Sequence, residues 1–157
     1  MASPPSKTMK RVLKIANGLH VVIYRMSGGK FANEIANMPI LLITTVGRKS
    51  GKPHTNPVVY LQDGQDYLVT ASVAGKDWHP SWYFNLQNRP QATIKVGAKT
   101  FDVKATIITG DERIRLYEKF KAASSNFVKY EKATHRVIPV IRLTPTHIEQ
   151  KDRKSVV

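Results

Sequence analysis

From Lys7 to about Arg25, Met9, Val12, Leu13, Ala16, Leu19 and Ile23 recur at three- and four-residue intervals, with Lys7, Lys10, Arg11 and Lys14 on the other side. This is the period of an amphipathic helix. It predicts a helix over about 7–25, packed on the edge of a domain with a solvated basic face; the same pattern also suits contact with anionic lipid. Gly28-Gly29 ends the segment, and Ala32 to Met38 reads as a connection or short turn. Beyond it the period changes. Ile40 to Thr45 is apolar at successive positions, which predicts a central strand running from Pro39 to Val46. A returning strand follows from His54 to Leu61, and Pro57, with no N–H for a ladder, predicts an edge or a bulge there. Asp63-Gly64 is a hairpin turn leading to a strand at Tyr67 to Ser72. The small residues of Ser72-Val73-Ala74-Gly75-Lys76 then interrupt it.

His79 to Leu86 predicts a short helix with Pro80 in its first turn, ended before Arg89-Pro90. Trp82 and Leu86 share a face there, the spacing of a core pair. Ala92 to Val96 and Thr100 to Ile108 alternate as half-buried strands around a Gly97-Ala98 turn. Thr109-Gly110-Asp111-Glu112 resembles a capping box before a helix that carries Leu116, Phe120 and Ala123 on one face. Phe127 and Tyr130 follow on a short helical segment, and Val137 to Leu143 closes the sheet. Met1 to Ser6 and about 149–157 read as a loose and a charged tail. About six strands in antiparallel hairpins, with two to four flanking helices, make an α+β or mainly β fold, a small barrel in a single domain spanning 1–157. The strand–helix rhythm of a parallel dinucleotide-binding sheet is absent.

Composition narrows the function classes. The chain has 157 residues, 41% of them hydrophobic, enough for one packed core. It has no cysteine, which excludes disulfides, thiolate metal sites, iron–sulfur clusters and thiol nucleophiles. No apolar run reaches the ~18 residues of a membrane span, and no signal peptide is evident, so a cytoplasmic protein is expected. The formal charge of +14 calls for an anionic partner: nucleic acid, an anionic membrane surface or a polyanionic small molecule.

The stretch from Thr44 to Tyr60 gives that charge a place. Its turn carries Arg48, Lys49 and Lys52 about Gly47 and Gly51, with the Ser50 hydroxyl and peptide N–H groups beside them, a combination suited to phosphate or carboxylate. It is not a P-loop: three residues separate the glycines, and Pro53 follows Lys52. His20, His54, His79, His135 and His147 show no i, i+4 pairing or nearby carboxylate cluster, so no metal site is expected. Asp63, Asp66 and Asp77 sit in turns. With no nucleophile or acid–base pair evident, an enzyme of this sequence would rely on a bound cofactor.

Four motifs in order, Thr44 to Pro53 with Asn56-Pro57, Ser72 to Gly75, His79 to Leu86, and Asn88-Arg89-Pro90, resemble the deazaflavin-dependent nitroreductase family, subgroup A of the flavin/deazaflavin oxidoreductases of actinobacteria. The similarity extends from about residue 10 to 145, and Arg136 to Val140 looks like the family's closing strand. The resemblance implies a split β-barrel and reduced coenzyme F420, a deazaflavin with a phosphate and an oligoglutamate tail, as hydride donor. It places the phosphate and first carboxylates at Arg48, Lys49, Ser50 and Gly51, the ring against Pro57 and Val58, main chain of Ser72, Val73, Ala74 and Gly75 over the reactive edge, and Lys76 and Trp82 along the cleft. Ser72 and Tyr130 are the candidate hydrogen-bond donors to substrate, with Phe127 and Tyr130 as its aromatic wall. Acceptors in such a family include quinones, nitroaromatics such as nitroimidazoles, and unsaturated lactones of the coumarin–aflatoxin type. Two positions depart from it: Phe127 where relatives often carry tyrosine, and His54 where they often carry arginine.

Three other readings use the same features. One is an FMN-using split-barrel oxidoreductase. The others are non-catalytic: a cofactor carrier, or a nucleic-acid binder. Against the last, the aromatics gather at Trp78 to Phe84 and Phe120 to Tyr130 and do not interleave with cations along one face. The basic helix is expected to add peripheral contact with the inner face of the cell membrane.

Overall fold

The computed structural model describes residues 5–31, 33–35 and 37–146. The charged segment at about 149–157, His147 and most of the N-terminal tail lie outside them. Helix α1 spans Lys7–Met26, and the Ser6 side chain starts it by accepting the Met9 N–H at 3.1 Å. The strands are β1 (Glu34–Ile35), β2 (Met38–Val46), β3 (Pro53–Asp63), β4 (Asp66–Thr70), β5 (Gln91–Val96), β6 (Lys99–Ile108) and β7 (Val140–Pro145). A 3-10 turn at Val73–Gly75 and α2 (Ser81–Asn88) fall between β4 and β5; α3 (Gly110–Ala123) and α4 (Asn126–Ala133) fall between β6 and β7.

The strands pair in the order β2-β3-β4-β7-β6-β5, and β5 returns to β2, closing a six-stranded antiparallel barrel; β1 adds to the start of β2. The pleat explains why β2 is apolar at every step. Leu41 and Ile43 point into the barrel with Val58, Val69, Ile94, Val103 and Ile141, where Trp82 and Leu86 of α2 also pack. Ile40 and Leu42 point outward and meet Val21 and Tyr24 of α1. A second core lies where α3 and α4 pack on Leu68 and Val140 through Leu116, Tyr117, Phe120 and Phe127.

Only the later turns of α1 are docked. The Tyr24 hydroxyl accepts the Gly97 N–H at 2.7 Å and lies 3.4 Å from the carbonyls of Ile40 and Lys95. The periodic stripe expected to pack on the domain faces away instead. Met9, Val12, Leu13, Ile15, Leu19, Val22, Ile23 and Met26 are all exposed. Tyr24 decides the orientation, because its ring and hydroxyl find a buried site that the aliphatic stripe cannot use.

Strand β3 changes partner along its length. Pro53 to Val59 pair with β2, while Tyr60 to Asp63 pair with β4. Register with β2 runs without interruption through Leu42 opposite Pro57, so there is no bulge. Pro57 is tolerated because β4 does not run beside it, leaving an open edge. Beyond the Tyr60–Val69 pair the two chains part: β3 runs back towards Pro53, and the chain after Thr70 runs out towards Lys76. This parting is the split in the barrel wall.

Local details differ from sequence expectation at three ends. Pro80 precedes α2 as its cap. Thr109 makes no side-chain capping bond, so the expected capping box is not formed; Asp111 and Glu112 sit in the first turn of α3, where negative charge suits the helix N-terminus. Strand β7 begins at Val140, with Val137 exposed and Ile138 in the second core.

Candidate active site

The hairpin between β2 and β3 is tied at its neck by Gly47 N–H to Lys52 O and Gly51 N–H to Gly47 O, both 2.8 Å. The Ser50 hydroxyl accepts the Lys52 N–H at 3.2 Å and bonds His54 Nε2 at 3.2 Å. Arg48 is fixed from below. Its N–H donates to Asn85 Oδ1 at 3.1 Å, and its guanidinium lies 4.8 Å above the Phe84 ring. Asn85 is 4% exposed and donates in turn to Thr45 Oγ1 at 3.0 Å, so its amide is satisfied on both sides. Lys49 and Lys52 extend into solvent. Among the described residues, no ion pair engages Arg48, Lys49 or Lys52. An open groove of about 710 Å3 runs beside the neck, lined by Thr45, Val46, Pro53, Arg89 and Gln91 among others.

Across the split, Val73, Ala74 and Gly75 take φ values of 45°, 49° and 78° in succession. Two of these are L residues, one of them β-branched, in the left-handed region that costs roughly 1–2 kcal/mol per residue. Such a run persists only where its surroundings hold it. Gly75 meets α4 directly: a Cβ there would lie 2.9 Å from the Tyr130 Cα and 3.0 Å from its carbonyl oxygen. Arg136 holds the carbonyls on either side. Its Nη2 donates to Ala71 O and Ser72 O at 2.9 Å each, its Nε to Lys76 O at 2.8 Å, and its Nη1 to His79 Nδ1 at 3.0 Å. Burial, and then the Arg136 charge, hold His79 below its ordinary pKa, consistent with a neutral ring accepting at Nδ1. Asp77 accepts from the Thr134 hydroxyl at 2.6 Å and the His135 N–H at 3.3 Å; these bonds hold its carboxyl below the usual range.

The two sides of the site are joined by contacts. The His79 ring lies 4.6 Å from Tyr83 and 5.7 Å from Phe84, and Phe84 carries Arg48. Arg48, Lys49, Ser50, Gly51 and His54 therefore share one hairpin, linked through α2 to Ser72, Val73, Ala74, Gly75 and Lys76. Pro57 and Val58 lie on the open run of β3, Pro57 half-buried and Val58 turned into the barrel. Tyr130 is half-buried beside Gly75.

Two expected aromatic site residues belong to the core, and the Val58 side chain lies there too, leaving only its main chain to a ligand. Trp82 is 6% exposed within the barrel core, and Phe127 is 4% exposed between Tyr117, Phe120 and Tyr130. Their rings fill interior volume, so neither offers a face to a ligand. Sequence reasoning missed Asn85, Phe84 and Arg136 as supports of the site. A polar Asn85 on the helix face shared with Trp82 was the available signal for the first.

The closed barrel with an open β3 edge, a clustered cationic hairpin and a main-chain loop opposite defines a split-barrel cofactor-binding protein. The model of the F420H(2)-dependent quinone reductase family matches residues 17–145, and the chain belongs to that family. An F420H(2)-dependent quinone reductase of Mycobacterium tuberculosis is 36% identical over 130 residues, covering 80% of this chain and 87% of the relative. A solved F420-H2-dependent reductase of the FDR-A group superposes with a TM-score of 0.62 at 35% identity, over 67% of this chain and 93% of that one. A second solved relative, described as a domain-swapped dimer, gives 0.64 at 30% identity over 80% and 96%. The protein is an F420H2-dependent oxidoreductase of the split-barrel type, with coenzyme F420 as its hydride donor.

The residues present fit that coenzyme. The hairpin offers cations that no ion pair engages among the described residues, a hydroxyl and peptide groups to a phosphate and polycarboxylate, and the split leaves two stretches of main chain uncovered by other strands.

Proposed function

We propose that the protein reduces a quinone, with the coenzyme's phosphate and glutamate tail at the Arg48–His54 hairpin and its ring in the split between Pro57-Val58 and Ser72–Lys76. The observation that carries this reading is the convergence of cationic hairpin and left-handed loop, linked by α2, at one end of the barrel. Bound there, the reduced deazaflavin supplies a hydride from its C5 carbon. Arg48, braced by Phe84 and Asn85, and Lys49 neutralise the phosphate; the tail follows Lys52 and the groove by Arg89. The loop 72–75 excludes water from the ring edge with main chain. Tyr130, beside Gly75, donates a hydrogen bond to the acceptor's oxygen as negative charge builds on it. Nitroaromatics and unsaturated lactones present similar electrophilic centres; the match to the quinone reductase family model favours quinones.

Fluorescence titration with oxidised F420 and FMN at low and high salt tests the binding half. Binding of F420 that weakens with salt, and none of FMN, supports the hairpin as a polyanion site. Oxidation of F420H2 by a soluble quinone in preference to a nitroimidazole and a coumarin tests the acceptor. Preference for FMN refutes the coenzyme placement, and preference for either other acceptor refutes the quinone assignment.

The outward face of α1 favours a peripheral partner as well. Eight exposed aliphatic and methionine side chains on a helix with Lys7, Lys10, Arg11 and Lys14 fit an anionic lipid surface, where a quinone would also be found. No helix among the described residues is long and apolar enough to cross a membrane. Truncating α1 would remove Tyr24 from the core, so Ile15→Asp with Leu19→Asp is the cleaner variant. Loss of co-sedimentation with phosphatidylglycerol vesicles supports the contact; unchanged co-sedimentation refutes it.

A further inference from the structure

Arg136 stands outside the proposed ligand contacts, yet its guanidinium makes four hydrogen bonds to one loop. Three of its acceptors are the carbonyls of Ala71, Ser72 and Lys76, which bracket the left-handed run at Val73, Ala74 and Gly75. The fourth is His79 Nδ1, the first member of the aromatic contact chain that leads to Arg48. The neighbouring chain reinforces this hold. Thr134 and His135 bond Asp77 one residue beyond Lys76, and the Arg136 N–H donates to Thr134 Oγ1 at 3.3 Å. The loop's own backbone bonds tie only its first residue to the barrel, Ala71 N–H to Pro139 O at 3.1 Å; Gly75 N–H to Ser72 O at 3.0 Å and Lys76 N–H to Val73 O at 3.1 Å lie within the turn.

We infer that Arg136 is the positioning residue of the active site: its planar fork holds the loop 71–76 in a conformation its own residues disfavour, and through His79 it keeps that loop in register with the anion-binding hairpin. A guanidinium suits the task because its five N–H donors lie in one rigid plane, whereas an ammonium is a point donor on a flexible stem. The functional half rests on the placement of the coenzyme ring beside this loop; the structural half does not.

The test compares wild-type protein, Arg136→Met and Arg136→Lys. Amide hydrogen exchange is followed on peptides covering 71–77 and, as control, 40–46. The expected result for Arg136→Met is exchange about ten-fold faster or more at 71–77 with no change at 40–46. With F420H2 and a soluble quinone, kcat falls about ten-fold, while the salt dependence of F420 binding stays as in wild type because the hairpin is untouched. Arg136→Lys keeps the charge and falls between wild type and Arg136→Met in both readouts. If Arg136→Met does not fold, Arg136→Lys carries the same comparison. Wild-type exchange at 71–77 in the folded variants overturns the inference, and faster exchange with unchanged kcat overturns its functional half. Wild-type protein that fails to bind F420 refutes the coenzyme placement separately, leaving exchange to decide the role of Arg136.

Discussion

Gly75→Ala probes the join between the loop and α4. Gly75 has φ of +78°, and an added Cβ would lie 2.9 Å from Tyr130 Cα, 3.0 Å from Tyr130 O and 3.1 Å from Ala133 Cβ. Two costs combine. An L side chain in the left-handed region costs roughly 1–2 kcal/mol. The contact with Tyr130 is to main chain and cannot be relieved by a rotamer change, so it adds about 1–3 kcal/mol of overpacking. The total is about 2–5 kcal/mol, and at roughly 2–4 °C per kcal/mol for a domain of this size the Tm falls by roughly 4–20 °C. Gly51→Ala is the control: its φ is +68°, but nothing lies within 4 Å of the added Cβ, so only the first cost applies. Thermal unfolding followed by circular dichroism compares the two. Equal losses of Tm would refute the reasoning, since they would mean that the approach of α4 to Gly75 costs nothing to disturb.

Arg48→Ala with Lys49→Ala is expected to lower F420 affinity about ten-fold or more and to flatten its salt dependence, with Tm within a few degrees of wild type, as exposed turn charges contribute little; titration at two salt concentrations checks it. Phe127→Ala should cost about 3–5 kcal/mol in denaturant unfolding, whereas Tyr130→Phe should leave stability nearly unchanged and lower kcat with a quinone. The loop should loosen in acid. The His79 pKa is depressed, so its contribution is present above about 6.5 and declines as pH falls from there towards the lowered value; that of Asp77 is present above about 4 and is lost as pH falls through its own depressed pKa. Exchange at 71–79, corrected for the intrinsic rate, should therefore be faster at about pH 5.5 than at about pH 7.5, and His79→Gln should remove that difference.

The hairpins were legible because their chemistry is local. Asp63-Gly64 and Gly97-Ala98 impose their turns from within, and Pro57 announces an unpaired edge whatever surrounds it. Clustering of cations on the β2–β3 turn followed from chain order alone. What stayed hidden depends on distant partners. Periodicity gave α1 its apolar stripe but not the side that docks, which Tyr24 fixes through Gly97, 73 residues away. The family resemblance places Trp82 and Phe127 against ligand, while the barrel core buries the first and α3 neighbours the second. Arg136 lies in a segment that resembles the family's closing strand, and its acceptors at Ala71 to His79 are 57 to 65 residues back in sequence. No local pattern encodes such a pairing.

The course of β3 also orders the molecule's charges. At one end it leaves the hairpin of Arg48, Lys49 and Lys52; at the other it reaches Asp63, which with Asp66 and Glu112 surrounds Arg142. The first 62 residues hold nine lysines and arginines against one acid, Glu34. An eleven-residue strand spans roughly 33 Å, so the protein holds its hairpin cations well apart from acids that Arg142 and Lys119 already meet. An approaching polyanion exerts a torque on it before any contact forms, turning the hairpin end forward. Productive encounters then exceed the share that random orientation would allow, and added salt should slow association by disordering the approach even where the final contacts are unchanged.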